Sequence, residues 1–176
     1  MYRAVFLDRD GVVNKAIVRN GLPFSPKSKQ EVEIIEDVKD CITRLEKLSF
    51  QIVVVTNQPD IARKKITINQ VNDIHDFIKE LTGIRNFFIC PHDDSDNCEC
   101  RKPKSGLLIQ AAKLLKIDLG RSYMIGDRWK DIEAGQNAGC TCIFINRNYS
   151  ENPPKYPFVE VKSLSEAISI IKGSIL

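Results

Sequence analysis

No window of this 176-residue chain approaches the ~18 consecutive apolar residues that a membrane-crossing helix requires. At the amino terminus the apolar run is short and meets an acid at Asp8, which argues against a secretory leader. Neither sign of charge dominates. The 26 basic and 23 acidic residues leave a net charge of +3 with no arginine-rich arm and no block of like charge, so charge alone indicates no polyanionic partner. The phosphate-cradling G-x-x-x-x-G-K and dinucleotide G-x-G-x-x-G patterns are missing, and with them the usual signs of ATP or NAD binding. Internal repeats and low-complexity tracts are missing as well. Histidine is scarce, with only His75 and His92. These absences, together with 43% hydrophobic and 28% charged residues, predict an ordinary folded cytoplasmic chain. Its length predicts one domain over residues 1–176 and a monomer is expected.

What is present is an alternation. Short apolar, β-branched runs at 4–7, 52–55, 87–89, 123–125, 142–145 and 158–161 read as strands. Between them, Val38, Cys41, Ile42, Leu45 and Leu48 have the spacing of one helix face, and residues 105–117 read as a helix on similar grounds. Thr67 with Gln70 and Ser163 with Glu166 have capping-box form ahead of helices over 71–81 and 167–171. The expected fold class is α/β, a doubly wound, mainly parallel sheet with helices on both faces. Residues 14–29, with Pro23 and Pro26, read as a polar surface excursion. The inserts are too short for a large cap domain.

In open α/β sheets a ligand lies beyond the carboxyl ends of the strands, so the residue that ends each apolar run is the informative one. These ends carry Asp8 with Asp10, then Thr56-Asn57-Gln58, then Cys90, and Gly126-Asp127. A single Asp after a strand usually caps a turn. Three acids converging in a D-x-D-G context repel one another unless a cation intervenes, and hard oxygen ligands suit magnesium. Asp8 and Asp127 are expected to hold it by side chains and Asp10 by its backbone carbonyl, leaving the Asp10 carboxyl for proton transfer. Asp8 would then be a competent nucleophile towards phosphorus, with Lys102 as the neutralising cation and Gly11 allowing a tight turn.

Six cysteines in a reduced compartment suggest metal rather than disulfides where they cluster. Cys90, His92, Cys98 and Cys100 supply four thiolate and imidazole ligands, the closed set of a structural zinc site. The loop they share is too polar for a core, with Asp93, Asp94, Asp96 and Asn97. Its end abuts Lys102, so the zinc-binding loop is expected to brace the active-site cation. Cys41, Cys140 and Cys142 read as small core residues, and His75 as a surface or satisfied residue. Redox use of Cys98-Glu99-Cys100 is disfavoured, since the segment lacks the C-x-x-C spacing.

The segments from Phe6 to Asn14, Val55 to Gln58, Arg101-Lys102-Pro103 and Gly126 to Asp131 stand in the order that marks the haloacid dehalogenase-like phosphatases. Within that superfamily the chain resembles the D-glycero-D-manno-heptose-1,7-bisphosphate 7-phosphatases and the related histidinol-phosphate phosphatases, from about Arg3 to Arg147. The resemblance implies a magnesium-dependent phosphomonoester hydrolase working through an aspartyl-phosphate on a small phosphorylated metabolite. It implies Asp8 as nucleophile, Asp10 as general acid and base, and Thr56 with Asn57 holding the phosphoryl group. It further implies Lys102 neutralising that group, Asp127 on magnesium, Arg101 reaching substrate and Asp131 behind them. Arg9, Gln58, Arg101 and Arg128 are the candidate substrate contacts. Pro59-Asp60 and Lys64 depart from the heptose enzymes' pattern. Alternatives are histidinol phosphate or another metabolite as substrate, a polynucleotide end phosphatase, or a zinc-containing nucleic-acid binding module. The acidic loop and the lack of a basic, aromatic stripe disfavour the last.

Overall fold

The computed structural model describes residues 1–174. Ile175 and Leu176, which the expected domain includes, lie outside the described residues. The strands are β1 (Arg3–Leu7), β2 (Ile17–Arg19), β3 (Leu22–Phe24), β4 (Phe50–Asn57), β5 (Asn86–Cys90), β6 (Tyr123–Gly126), β7 (Thr141–Ile145) and β8 (Val159–Val161). The helices are α1 (Val38–Lys47), α2 (Ile68–Thr82), α3 (Gly106–Leu115), α4 (Trp129–Ala138) and α5 (Leu164–Gly173). None is long and apolar enough to cross a membrane.

Six strands form one sheet in the order β5-β4-β1-β6-β7-β8, every neighbouring pair parallel. Each central strand feeds two cores, because successive side chains point to opposite faces. Val5 and Leu7 of β1, Ile52 and Val54 of β4, and Ile143 and Ile145 of β7 pack with α1, α2 and α5. Their alternates Ala4, Phe6, Val53, Val55, Cys142 and Phe144 pack with α3 and α4. The expected doubly wound sheet with helices on both faces is therefore what the chain forms. Cys41, Cys140 and Cys142 lie in these cores as expected.

Two elements escaped the sequence reading. The segment read as a surface excursion contains a hairpin, β2 pairing antiparallel with β3 across Asn20-Gly21, both at positive φ of 51° and 75°. Two consecutive positive φ values are what a tight two-residue hairpin turn needs, and Asn-Gly is its commonest sequence. Helix α4 lacks a strong apolar stripe because it approaches the sheet through small residues. A Cβ on Gly135 would fall 2.6 Å from the Met124 Cβ, so this helix lies too close for larger side chains. The Thr67 capping box forms in full. At Ser163 only half of it forms: the hydroxyl accepts from Glu166 N, while the Glu166 carboxylate accepts from Lys162 N instead.

Topology fixes where ligands can bind. From β1 the chain winds outward to β4 and β5, then returns to β6 on the other side of β1 and winds away. Asp8 and Asp127, which follow adjacent strands β1 and β6, thus stand where the order reverses, the crevice of doubly wound sheets. Between β1 and α1 the chain inserts only the hairpin and a short 3-10 turn, Lys29–Glu31, as regular structure, and the hairpin's Pro23 and Phe24 reach the crevice.

Candidate active site

Lys102 is the hub of the crevice. Its side chain is 3% exposed, and Nζ donates to Asp8 Oδ1 at 2.6 Å and to the Val55 carbonyl at 2.8 Å, with Asp131 Oδ1 also at 2.6 Å. Burial alone would lower the ammonium's proton affinity. The charges of Asp131 and Asp8 reverse that and hold Lys102 above its usual range, so it is a fixed cation.

The carboxylates of Asp8, Asp127 and Asp131 each bring an oxygen within 4.8 Å of the others, all buried. Burial first, then the Asp131 charge, push the Asp8 carboxyl up to about 6 against the pull of Lys102. Burial, Asp8 and Asp131 push Asp127 well above the usual carboxylate range. One lysine therefore does not balance three buried acids, and Asp127 Oδ1 has no hydrogen-bond partner. An orphaned buried carboxylate oxygen beside two other acids fits a hard divalent cation. The cluster differs from the expected set in one respect: Asp131, expected behind the ligands, brings its carboxylate among them.

Gly11 shapes this cluster. It sits at φ +94°, and a Cβ there would fall 1.7 Å from Asp127 Oδ2. Only glycine lets the loop after β1 turn there and approach Asp127 so closely.

Asp10 stands apart from the cluster, although its side chain also lines the crevice. Its carboxylate accepts a forked pair from Arg9 at 2.8 Å, and single bonds from Asn14, Ser25 and Gln58 at 3.0, 2.7 and 3.1 Å. Burial would raise its proton affinity. The Arg9 charge and the bonds from Asn14 and Ser25 outweigh it and hold Asp10 below its usual value.

Five sequence-expected contacts are corrected or refined by this geometry. Arg9 is 0% exposed, with Nη1 on His75 Nε2 at 3.1 Å, so it supports Asp10 from within and does not reach a substrate. Gln58 is also buried and donates to Asp10 and to Thr56 Oγ1. Asn57, expected on the phosphoryl group, lines the crevice and also exchanges a hydrogen-bond pair with the Lys102 backbone. Arg101 and Arg128 do face the opening, each already paired: Arg101 with Asp94 at 2.7 Å and the His92 carbonyl, and Arg128 with both oxygens of Glu151. Thr56 lines the crevice as expected, its hydroxyl hydrogen left free to donate. Of the two readings expected for His75, surface or satisfied, the structure has the second: it is buried, bonded to Arg9 and stacked on Phe87 with ring centres 4.6 Å apart.

Pro23, Phe24 and Ser25, expected within a polar surface excursion, wall the crevice together with Lys130. Asn14 could have been found from its place four residues after Asp10 in the first motif. No local signal marks Ser25, Tyr149 or Glu151, which lie in loops and acquire their roles only through folding.

Beside this site, the Sγ atoms of Cys90, Cys98 and Cys100 and the His92 Nδ1 approach one another at 3.2 to 3.7 Å. A tetrahedral zinc with Zn–S bonds of about 2.3 Å puts sulfurs about 3.8 Å apart, so the four atoms fit one ion with small adjustment. Arg63 grips Asp93 of the same loop at 2.6 and 2.7 Å.

A family model for HAD-hydrolase-like proteins matches residues 99–158. A curated relative from Helicobacter pylori, a D-glycero-beta-D-manno-heptose-1,7-bisphosphate 7-phosphatase, is 32% identical over 97% of this chain and 97% of its own. One from Photorhabdus laumondii, named for the alpha anomer, is 34% identical over 86% and 87%. Among solved structures, the D,D-heptose 1,7-bisphosphate phosphatase from B. bronchiseptica, complexed with magnesium and phosphate, superposes with a TM-score of 0.84 at 26% identity, covering 98% and 99% of the two chains.

Proposed function

The chain belongs to the heptose-bisphosphate phosphatase family of the haloacid dehalogenase-like hydrolases, and from that premise we propose that it removes the 7-phosphate of a D-glycero-D-manno-heptose 1,7-bisphosphate, acting as a single-domain monomer. The observation that carries the chemistry is Lys102 Nζ at 2.6 Å from Asp8 beside the partnerless oxygen of Asp127.

Asp8 is the nucleophile. Its carboxylate attacks phosphorus while the bond to the sugar oxygen breaks, giving an aspartyl-phosphate and an alkoxide that takes a proton. Asp10 supplies that proton and later takes one from the water that hydrolyses the acyl-phosphate. Its lowered proton affinity suits the second task, and an arriving phosphate dianion raises that affinity for the first. Arg9, Asn14, Ser25 and Gln58 hold the carboxylate still through both. Lys102 balances the phosphoryl charge, and the Thr56 hydroxyl donates to a phosphoryl oxygen. Magnesium held by Asp8 and Asp127, with the Asp10 carbonyl, would neutralise the remaining phosphoryl charge. Zinc in the Cys90, His92, Cys98 and Cys100 set would fix the loop that ends at Lys102.

The test is turnover by the purified chain with magnesium, comparing both anomers of the heptose bisphosphate with histidinol phosphate and a generic aryl phosphate. Turnover of a bisphosphate well above the others, abolished in Asp8→Asn, is expected. Normal activity in Asp8→Asn rejects the covalent route, and equal rates on all substrates reject the heptose assignment.

A further inference from the structure

The loop that follows β7 touches the site at successive residues. Arg147 donates from Nε to the Gly11 carbonyl at 3.0 Å, and Tyr149 donates its hydroxyl to Asp127 Oδ2 at 2.8 Å. Ser150 N donates to the Gly21 carbonyl at the hairpin turn, and Glu151 grips Arg128. Of these, Tyr149 makes the contact with chemical consequence.

The two oxygens of Asp127 have different surroundings. Oδ2 is enclosed by the Tyr149 hydroxyl and by the backbone of Gly11, where even a Cβ would come within 1.7 Å. Oδ1 is buried with no partner. Tyr149 does not line the crevice that holds Asp8 and Lys102. It lines a separate cavity with Asp127, Trp129, Phe144 and Asn146. A phenol there is badly placed to touch a substrate and well placed to fix a carboxylate from behind.

We infer that Tyr149 is a positioning residue for the cation site: its hydroxyl occupies Asp127 Oδ2 and so presents Oδ1 to the metal. The inference rests on the phosphatase reading for the identity of the cation alone. A carboxylate free to rotate could offer either oxygen or both, whereas one pinned at Oδ2 offers a single oxygen in a fixed direction. Magnesium demands near-ideal octahedral geometry, so the loss of that direction should weaken binding more than it weakens folding. Outer partners of metal ligands commonly carry a 10–100-fold effect on affinity.

The experiment is calorimetric titration of magnesium into the intact chain, dialysed free of that ion and without substrate, comparing the parent with Tyr149→Phe and Asp127→Asn. Tyr149→Phe should weaken magnesium binding by roughly 10–100-fold. Its melting temperature in magnesium-free buffer should stay within about 2 °C of the parent, since removing a single oxygen leaves the ring's packing in place. At saturating magnesium its KM for substrate should be unchanged. An unchanged magnesium affinity in Tyr149→Phe, with Asp127→Asn defective, overturns the role of Tyr149 while leaving the site intact. Normal binding in both variants overturns it together with Asp127 as a ligand. Because the titration needs no turnover, its outcome is independent of whether the substrate has been named correctly.

Discussion

Asn57 and Lys102 are joined by two reciprocal hydrogen bonds, the Asn57 side-chain oxygen accepting from Lys102 N at 3.1 Å and its Nδ2 donating to the Lys102 carbonyl at 3.0 Å. An amide side chain here does what a neighbouring strand would do: it satisfies both backbone groups of one residue and fixes that residue in register with β4. The residue so fixed carries the cation that reaches Asp8. Asn57→Ala removes both bonds and lets the lysine backbone shift. A misplacement near 1 Å at a reacting centre costs about 100-fold, so kcat should fall by about that factor with KM little changed. Steady-state kinetics checks this, and a change confined to KM would mean that Asn57 binds substrate directly.

The zinc loop fixes the same lysine from its other side. Cys100 is a ligand candidate two residues before Lys102, and Arg101 between them is tied to Asp94 and the His92 carbonyl within the loop. Cys98→Ser should therefore lose zinc by elemental analysis. It should also lose kcat by an amount comparable to Asn57→Ala, because both act through the position of Lys102. Parent protein carrying no zinc would contradict the four-ligand reading, and a zinc-free Cys98→Ser with full kcat would contradict the brace.

The fold was legible because strands such as Ala4 to Leu7 and Val53 to Val55 are buried on both faces and therefore read as unbroken apolar runs. The site was legible where chemistry follows immediately on a strand end, as at Asp8, Thr56 and Asp127. Arg9 was misread for a definite reason. Between two site acids in the sequence, an arginine looks like an anion contact, but the turn after β1 directs it inward to Asp10 and His75. That depends on α2 delivering His75 from 66 residues away, which no local pattern contains. Helix α4 was missed because close approach to the sheet replaces its apolar stripe with Gly135 and Ala134.

His75 leads to a pH dependence of stability. Arginine can only donate, so the His75 Nε2 facing Arg9 must be an unprotonated acceptor. Burial, and then the Arg9 charge, lower the His75 pKa to about 3, with Asp10 and Asp76 opposing. In the unfolded chain it is about 6.5, so between those values the unfolded state binds the extra proton and stability falls as pH falls. The loss is about 1.4 kcal/mol per pH unit, or about 2 kcal/mol between pH 6.5 and 5. Asp8, whose carboxyl is raised, contributes with the opposite sign over part of that range. The comparison is therefore urea unfolding of the parent against His75→Gln at both pH values. The parent should lose about 2 kcal/mol more than the variant, and parallel pH profiles would place a proton on the folded imidazole.

Gly11 and Gly139 separate backbone strain from collision. Both have positive φ, +94° and +81°, but a Cβ on Gly139 meets nothing within 4 Å, whereas one on Gly11 meets Asp127 Oδ2 at 1.7 Å and the Tyr149 hydroxyl at 2.9 Å. Gly139→Ala should therefore cost only the left-handed penalty, about 1–2 kcal/mol, and leave activity untouched. Gly11→Ala adds to that a displacement of Asp127, the carboxylate whose free oxygen faces the cation site. Its destabilisation should exceed that of Gly139→Ala, and magnesium binding and turnover should both be lost, even at temperatures where the chain remains folded by circular dichroism. If the two variants behave alike in both stability and activity, the close approach of Gly11 to Asp127 has no part in building the site.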